Sequence, residues 1–279
     1  MPHKMEMLGK TKVTVKDGKV VDVSEPVISW CPIFDKVHGI KKITPEDVKK
    51  NMEFRINDFG MFTDKREIEQ EVFVGFGASE IMMTGLRRNV LDSTVTVCDG
   101  AGTVITSNPK LVQGMGARIS GLVETEPIEG LIERIQKSDG VVLDPYTAKI
   151  DPIEGVRKAH ELGYKRIAVT VPGVDEAKKL RDLESELGLE LILIGVHITG
   201  IERDKALQLI EYLDITTACA SKNIRDVIKP LVQVGTAVPL FGITQRGKEI
   251  MLERAKEVEK PILVNTTELP ELPEEKQPK

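Results

Sequence analysis

The feature that most constrains this chain is a regular alternation of strand-like and helix-like segments after Gly140. Short apolar runs, such as those at residues 165–171 and 189–198, alternate with longer charged segments of helical character. This alternation is typical of a parallel sheet whose strands are joined by right-handed helical crossovers. The sequence therefore predicts an α/β fold, with a mostly parallel, Rossmann-like sheet and flanking helices.

The N-terminal part of the chain does not follow this alternation. An Asp-Gly pair at residues 17–18 lies between two short alternating runs, which is a strong β-hairpin signal. A Thr-Pro pair at residues 44–45, followed by acidic residues, indicates a helix start. We predict a hairpin and helical cap at residues 1–92 and the α/β domain at residues 93–267. Residues 268–279, rich in Pro and Glu, are predicted to be a disordered tail.

Composition argues against several classes of function. The 279 residues carry a formal net charge of −5 and only 4% are aromatic, which argues against a broad phosphate-binding surface and against base-stacking platforms. No window approaches the roughly 18 apolar residues that a membrane span needs. The first ten residues do not resemble a signal peptide. We expect a cytoplasmic protein that binds neither nucleic acid nor a membrane.

Chemically active side chains follow several of the predicted strands. In open α/β sheets, ligands bind beyond the carboxyl ends of the parallel strands. The segment TVTVCDGAGTVITSN, residues 94–108, ends its strand in a thiol, a carboxylate and two glycines. Other strand ends supply His197, Thr199, Cys219 and Ser221. We predict that the 94–108 segment forms one wall of a ligand site.

The three cysteines, Cys31, Cys98 and Cys219, are far apart in sequence and form no C-x-x-C motif. If the N-terminal cap carries Cys31 to the strand ends, the three thiolates could hold a [4Fe-4S] cluster with an open iron position, or zinc with a water. Each cysteine could instead be a small hydrophobic side chain in the core. A single reactive thiol at Cys219, just before a predicted helix, is a third interpretation.

Asp99 and His197 are the candidates for proton transfer. Asp99 is equally consistent with a turn residue that accepts backbone N–H groups. His197 ends an apolar strand, where a hydrogen-bonded core histidine is the common alternative.

Glycines and small polar residues supply candidate binding groups. The predicted ligand-binding residues are Gly100, Gly102, Gly116, Arg118, Thr199 and Ser221. The first two could bring backbone donors to a phosphate or carboxylate, although Gly-x-Gly without a third glycine is a weak dinucleotide signal. Gly116 and Arg118 could hold an anion, or the glycine could simply allow close helix packing. Ser221 could be an N-cap alone.

Longer motifs resemble one family. SWCPIF, VCDGAGTVITSNPKLVQGMGARISGLVET and ACASKNIRDV are similar to methanogenesis marker protein 8, a family of unknown function (domain of unknown function 2099) found in methanogenic archaea. The resemblance runs from about Gly9 to Arg254. It implies an anaerobic, reducing archaeal cytoplasm and a role tied to methane metabolism or a closely linked process, and it assigns no activity.

Three functions are left open. We favour an accessory protein that binds or delivers a metal or iron–sulfur centre, with methyl-coenzyme M reductase or its maturation proteins as partners. The second is an enzyme that binds a small anionic or phosphorylated ligand at the carboxyl edge of the sheet. The third is a non-catalytic assembly partner that docks through GFGASEIMMTGLRR, residues 75–88.

Overall fold

The computed structural model describes residues 2–31, 34–36, 39–72, 74–218, 221–236, 238–263 and 266. The strands are β1 (His3–Glu6), β2 (Lys12–Lys16), β3 (Lys19–Val23), β4 (Ser93–Cys98), β5 (Gly102–Thr106), β6 (Gly121–Glu124), β7 (Gly140–Val142), β8 (Arg166–Val171), β9 (Glu190–Gly195), β10 (Ile215–Thr217), β11 (Val232–Val234) and β12 (Leu240–Gly242). The helices are α1 (Pro45–Phe59), α2 (Ala78–Arg87), α3 (Pro109–Gly116), α4 (Glu129–Lys137), α5 (Pro152–Glu161), α6 (Val174–Leu187), α7 (Arg203–Ile210), α8 (Lys222–Val227) and α9 (Gln245–Ala255).

The larger sheet has eight strands in the order β11-β12-β10-β9-β8-β4-β5-β7. Its four central strands, from β10 to β4, are parallel to one another. The α/β fold with flanking helices is confirmed. The strands outside this parallel core pair in antiparallel fashion, which the alternation did not predict.

The segment after Cys98 is a β-hairpin that joins β4 to β5. Gly100 and Gly102 have φ angles of 81° and 71°, which only glycine adopts at little cost. A Cβ atom on Gly102 would also overlap the backbone of Ala148. The glycines therefore serve a tight reversal and close packing, and a loop this short cannot carry the crossover that a parallel neighbour needs.

The smaller sheet has the order β3-β2-β1-β6, and helix α1 packs on β2 and β3. Strand β6 comes from residues 121–124, inside the range predicted for the second domain, and pairs antiparallel with β1. The N-terminal sheet is therefore tied to the rest of the chain by main-chain hydrogen bonds.

Helix starts follow the sequence closely. Thr44 caps α1 in a capping box with Asp47, and Pro45 occupies the first turn. Asn108 and Asp151 cap α3 and α5 with side-chain oxygens that accept from backbone N–H groups of the first turn, and each is followed by a proline. These caps fix where the chain turns back along the sheet.

Several local predictions differ from the structure. Thr63-Asp64 is a helix-start pattern in the sequence, but the helix begins only at Ala78. The segment PILVN, residues 261–265, has the pattern of a last strand, but residues 261–263 have no regular structure. The tail at 268–279 and Cys219 lie outside the described residues. Most of α2 is buried against α3 and α9, including Met82 and Met83, so the proposed docking segment is largely core. No described helix is both long and apolar enough to cross a membrane.

Candidate functional site

A cavity of about 80 Å³ lies at the carboxyl edge of the parallel strands. Its wall includes Thr96 near the end of β4, Thr170 near the end of β8, His197 just after β9, and Ser120 and Gly121 at the start of β6. One water molecule needs about 10–15 Å³ of such a cavity, so the space suits a ligand of several non-hydrogen atoms.

The cavity lies where the strand order of the larger sheet reverses. From β4 the chain moves outward to β5 and β7, and it then returns to β8 on the other side of β4. From β8 the sheet extends the opposite way through β9 and β10. At such a switch point the segments that leave two neighbouring parallel strands diverge, and a crevice opens beyond their ends. In this protein the smaller sheet covers that crevice through β6.

His197 is the titratable side chain among the residues that border the cavity. Its Nε2 lies 2.6 Å from Oε2 of Glu6, the last residue of β1. The two side chains are 19% and 14% exposed, so the contact is largely shielded from solvent. When the imidazole is neutral, Nε2–H donates to the carboxylate and Nδ1 is left as the acceptor. Within the described part of the chain, Nδ1 makes no hydrogen bond.

Backbone features of both sheets hold the His197 ring in place. His197 has a φ of 56°, in the left-handed region that non-glycine residues rarely occupy. The ring lies against Gly121, where a Cβ atom would overlap it. Glu6 is directly opposite Gly121 in the β1–β6 ladder. The strand pair therefore supplies both the carboxylate partner and the space for the ring.

The other polar side chains among the described residues of the cavity wall are those of serine and threonine. Thr96 Oγ1 and Thr170 Oγ1 are 3.0 Å apart and hydrogen-bonded to each other. Ser120 Oγ accepts from Nη1 of Arg55 at 2.9 Å, and Thr103 Oγ1 accepts from the backbone N–H of Asp151. No acidic side chain is among the described residues that border the cavity, and most of these residues are aliphatic. Small-molecule sites commonly combine an apolar wall with a few placed polar groups.

Cys31 and Cys98 lie in different hydrophobic clusters. Cys31 packs in the core of the smaller sheet, and Cys98 packs with residues of α3 and α4. Burial, and then the neighbouring carboxylate of Asp99, raise the pKa of the Cys98 thiol. Among the described residues no three His, Cys, Asp or Glu side chains are grouped to bind a metal. The three-thiolate site stays a prediction, because Cys219 lies outside the described residues.

Asp99 is fully buried in an ion pair with Arg66. Its Oδ1 accepts from Arg66 Nε at 3.0 Å, and its Oδ2 accepts from the backbone N–H of Phe62 at 2.7 Å. The same guanidinium donates to the carbonyls of Gly114 and Met115 at the end of α3. With both oxygens engaged, this arrangement favours the interpretation of Asp99 as a structural residue.

The six residues predicted to bind a ligand are not part of the cavity wall: Gly100, Gly102, Gly116, Arg118, Thr199 and Ser221. Added Cβ atoms on the three glycines would overlap neighbouring atoms. Arg118 lies over the Phe59 ring, with Cζ 3.9 Å from the ring centroid. Thr199 lies in the turn after His197. Ser221 caps α8, where its Oγ accepts from the N–H of Ile224 at 3.3 Å.

The strand-end rule located His197 and the end of β8 but not Glu6, Ser120 or Gly121. Glu6 and His197 are 191 positions apart, and they meet only because β1 pairs with β6. No local pattern in the sequence encodes that pairing.

Comparison with known proteins identifies relatives that have no assigned activity. Residues 3–256, which include every strand and helix described above, match a family model described as an uncharacterized protein conserved in archaea (DUF2099). The uncharacterized protein MJ0054 of Methanocaldococcus jannaschii is 50% identical over 280 residues, which cover 99% of this chain and 98% of that protein. The chain therefore belongs to the archaeal family of uncharacterized proteins DUF2099.

Proposed function

We propose that this protein is an enzyme that binds a small ligand in the switch-point cavity and uses His197 as a general acid–base. The observation that supports it best is the Glu6–His197 pair at the cavity wall, with Nε2 and Oε2 only 2.6 Å apart. Histidine is the side chain most often used for proton transfer near neutral pH. A carboxylate that orients the imidazole is the usual companion of such a base.

The contacts suggest how the proton would move. Glu6 accepts from Nε2–H, so the lone pair of Nδ1 is available to take a proton from the ligand. The imidazolium that forms keeps its hydrogen bond to the Glu6 carboxylate, which stabilises the positive charge. The same proton then returns to another atom of the ligand, so that the enzyme ends in its starting state. Isomerisation by proton transfer, or activation of a hydroxyl, are the reaction classes that this arrangement serves.

The backbone at His197 supports a functional role for the side chain. A residue held in a sparsely populated region such as left-handed φ costs about 1–3 kcal/mol. Such conformations persist where the surrounding structure fixes them, and they cluster at active sites. Here the Gly121 backbone and the Glu6 carboxylate fix the ring.

The biological setting is proposed from the resemblance of the sequence motifs alone. We propose that the reaction serves methane metabolism or a closely linked process in archaea. Delivery of a metal or iron–sulfur centre to methyl-coenzyme M reductase receives less support from the geometry, because Cys31 and Cys98 pack in separate hydrophobic clusters.

A ligand screen with two matched variants tests binding in the cavity. Ligand-observed NMR on the full chain identifies small molecules that bind. Thr170→Phe, which fills the cavity, is expected to abolish binding. Thr170→Val removes the hydroxyl with little change in volume, so it should retain binding, weakened at most about tenfold by the loss of one hydrogen bond. Equal binding by wild type and Thr170→Phe would contradict the proposal.

Proton exchange on the ligands found in this way tests the chemistry. In D₂O, the wild type is expected to exchange a ligand hydrogen for deuterium. His197→Asn should retain binding and exchange about 10²–10⁴-fold more slowly, which is the usual contribution of a general acid–base. Glu6→Gln should exchange at a rate between those of the wild type and His197→Asn. Exchange that does not depend on His197 would sink the acid–base assignment.

A further inference from the structure

We infer that the ligand of this cavity is a small monocarboxylate with a short apolar chain, bound with its carboxylate against the hydroxyl of Ser120, which Arg55 polarises. This inference rests on the proposed function and names the chemical class of its ligand.

Within the described part of the chain, the hydrogen-bond partners of the Arg55 guanidinium are all neutral. Its Nη1 donates to Ser120 Oγ at 2.9 Å and to the Arg118 carbonyl at 2.7 Å. Its Nε donates to Oδ1 of Asn51 at 3.0 Å. Among the residues that the structure describes, no carboxylate lies within ion-pair distance of Arg55, and its Nη2 makes no hydrogen bond with them. The guanidinium charge is therefore not balanced locally.

Two further guanidinium groups increase the positive charge around Arg55. Burial, and then the charges of Arg118 and Arg66, lower the pKa of Arg55 to about 10. Arg55 still carries its charge at neutral pH. Arg66 is paired with Asp99, and the carboxylates of Glu67 and Asp58 lie near Arg118. Arg55 is therefore the group in this cluster whose charge an anionic ligand would offset. A shielded charge without a counter-ion is costly, which makes anion binding favourable.

Ser120 connects this charge to the cavity. Ser120 borders the cavity, and its hydroxyl oxygen accepts from Arg55. Its hydrogen must therefore be donated to another group, and no described residue accepts it. In the Thr96–Thr170 pair, one hydroxyl donates its hydrogen to the other, and the hydrogen of the second hydroxyl is free to be donated to a ligand. The wall therefore presents donors without a carboxylate, which suits a group that only accepts hydrogen bonds.

The rest of the wall favours a carboxylate over a phosphate. Val95, Val97, Leu122 and Val196 supply aliphatic surface, which a short hydrocarbon chain would cover. A phosphate group has three or four oxygens that each accept more than one hydrogen bond, whereas the described residues of the wall offer three free hydroxyl hydrogens, from Ser120, Thr103 and the Thr96–Thr170 pair, so much of its accepting capacity would be left unpaired in an apolar space. A monocarboxylate has two oxygens and an apolar remainder, and a cavity of about 80 Å³ limits that remainder to a few carbons.

The test compares matched acids and amides. Acetate, propionate, butyrate and valerate are titrated into the full chain by NMR or calorimetry, beside their primary amides and inorganic phosphate. We expect the best acid to bind at least about tenfold more tightly than its amide, since hydrogen bonds to an ionised group are roughly twice as strong as neutral ones. Arg55→Met and Ser120→Ala should each bring this acid-to-amide ratio close to one. Arg55→Lys should retain most of it, and Arg157→Met, on the exposed surface of α5, should leave it unchanged.

Three results would overturn the inference: amides that bind as tightly as acids, phosphate that binds more tightly than any acid, or an acid-to-amide ratio unchanged in Arg55→Met. If Arg55→Met does not fold, the inference is judged from the acid-to-amide ratios of the wild type, Arg55→Lys and Ser120→Ala. A neutral ligand that binds in the cavity and exchanges protons through His197 would refute the monocarboxylate and leave the proposed function standing. Absence of any ligand sensitive to Thr170→Phe would refute the proposed function itself.

Discussion

The guanidinium Nε of Arg66 lies 3.0 Å from Oδ1 of Asp99, and neither side chain is exposed to solvent. Through this pair the turn of the β4–β5 hairpin is joined to the segment at residues 61–67 and to the end of α3. Among the described residues, the other hydrogen bonds of these two side chains all go to backbone groups. A buried pair of this kind is stable only while both partners are present.

Removing one partner of this pair is therefore expected to destabilise the fold strongly. Asp99→Ala should lower the free energy of unfolding by about 3–5 kcal/mol, because it leaves the Arg66 charge buried without a counter-ion. Urea denaturation followed by circular dichroism measures the loss. Glu46→Gln is the matched control, since it breaks an exposed ion pair with Lys50 at 3.5 Å and should change stability by less than about 0.5 kcal/mol. Equal effects of the two changes would contradict the structural assignment of Asp99.

A methyl group at Gly121 is expected to displace the His197 ring. The added Cβ would overlap three ring atoms of His197, so Gly121→Ala must push the imidazole away from Glu6. We expect a clear change in the ring ¹⁵N and ¹³C shifts of His197 and a loss of proton exchange comparable to that of His197→Asn. Gly75→Ala is the control, because a Cβ there meets no atom within 4 Å. Unchanged ring shifts in Gly121→Ala would show that the ring does not lie where the structure has it.

The parallel core could be predicted from the sequence because its signals are local. Strands β8 and β9 are largely buried apolar runs, and the helix between them, α6, starts directly after Gly173 and ends at Gly188. Strands β5 and β12 pair in antiparallel fashion, but their apolar sequences look the same as those of parallel strands. Only the length of the connection distinguishes the two cases, and glycines such as Gly100 and Gly102 are typical both of a tight hairpin turn and of a ligand-binding loop.

The candidate site was predictable only in part. His197 and Thr170 follow from the rule that ligands bind beyond the carboxyl ends of parallel strands. Glu6, Ser120 and Gly121 reach the cavity through the pairing of β1 with β6, whose partners are more than a hundred positions apart. Sequence periodicity defines which face of a strand is buried but not which distant strand it pairs with.

Cys98 is expected to be chemically inert in the folded protein. Its side chain is 0% exposed, and burial together with the Asp99 carboxylate raises its thiol pKa, so almost no thiolate is present at pH 8. In a chain with Cys31→Ser and Cys219→Ser, a thiol reagent should label Cys98 at pH 8 only as fast as the protein unfolds. Addition of urea should expose one reactive thiol per chain. Fast labelling without urea would contradict this expectation. Iron or zinc bound to the wild-type chain and lost on Cys98→Ala would instead favour the three-thiolate site.

His3 is expected to make the fold less stable in mild acid. The ring is 2% exposed, stacks on Phe62 with ring centroids 4.8 Å apart, and hydrogen-bonds through Nδ1 to Thr125 Oγ1 at 2.7 Å. Burial lowers its pKa below the usual 6.5, an effect that the nearby carboxylates of Glu126 and Asp99 only partly oppose.

The direction of the pH effect follows from this lowered pKa. Below pH 6.5 the unfolded chain takes up a proton at residue 3 before the folded protein does, so stability is full above pH 6.5 and falls as the pH drops towards the folded-state pKa. The slope from this one group cannot exceed about 1.4 kcal/mol per pH unit. Urea unfolding at pH 7.5 and pH 5.5 should therefore show a larger loss of stability for the wild type than for His3→Gln, which can still hydrogen-bond to Thr125. His160→Gln, on α5, should behave like the wild type. A loss of the same size in His3→Gln would assign the acid sensitivity to other groups.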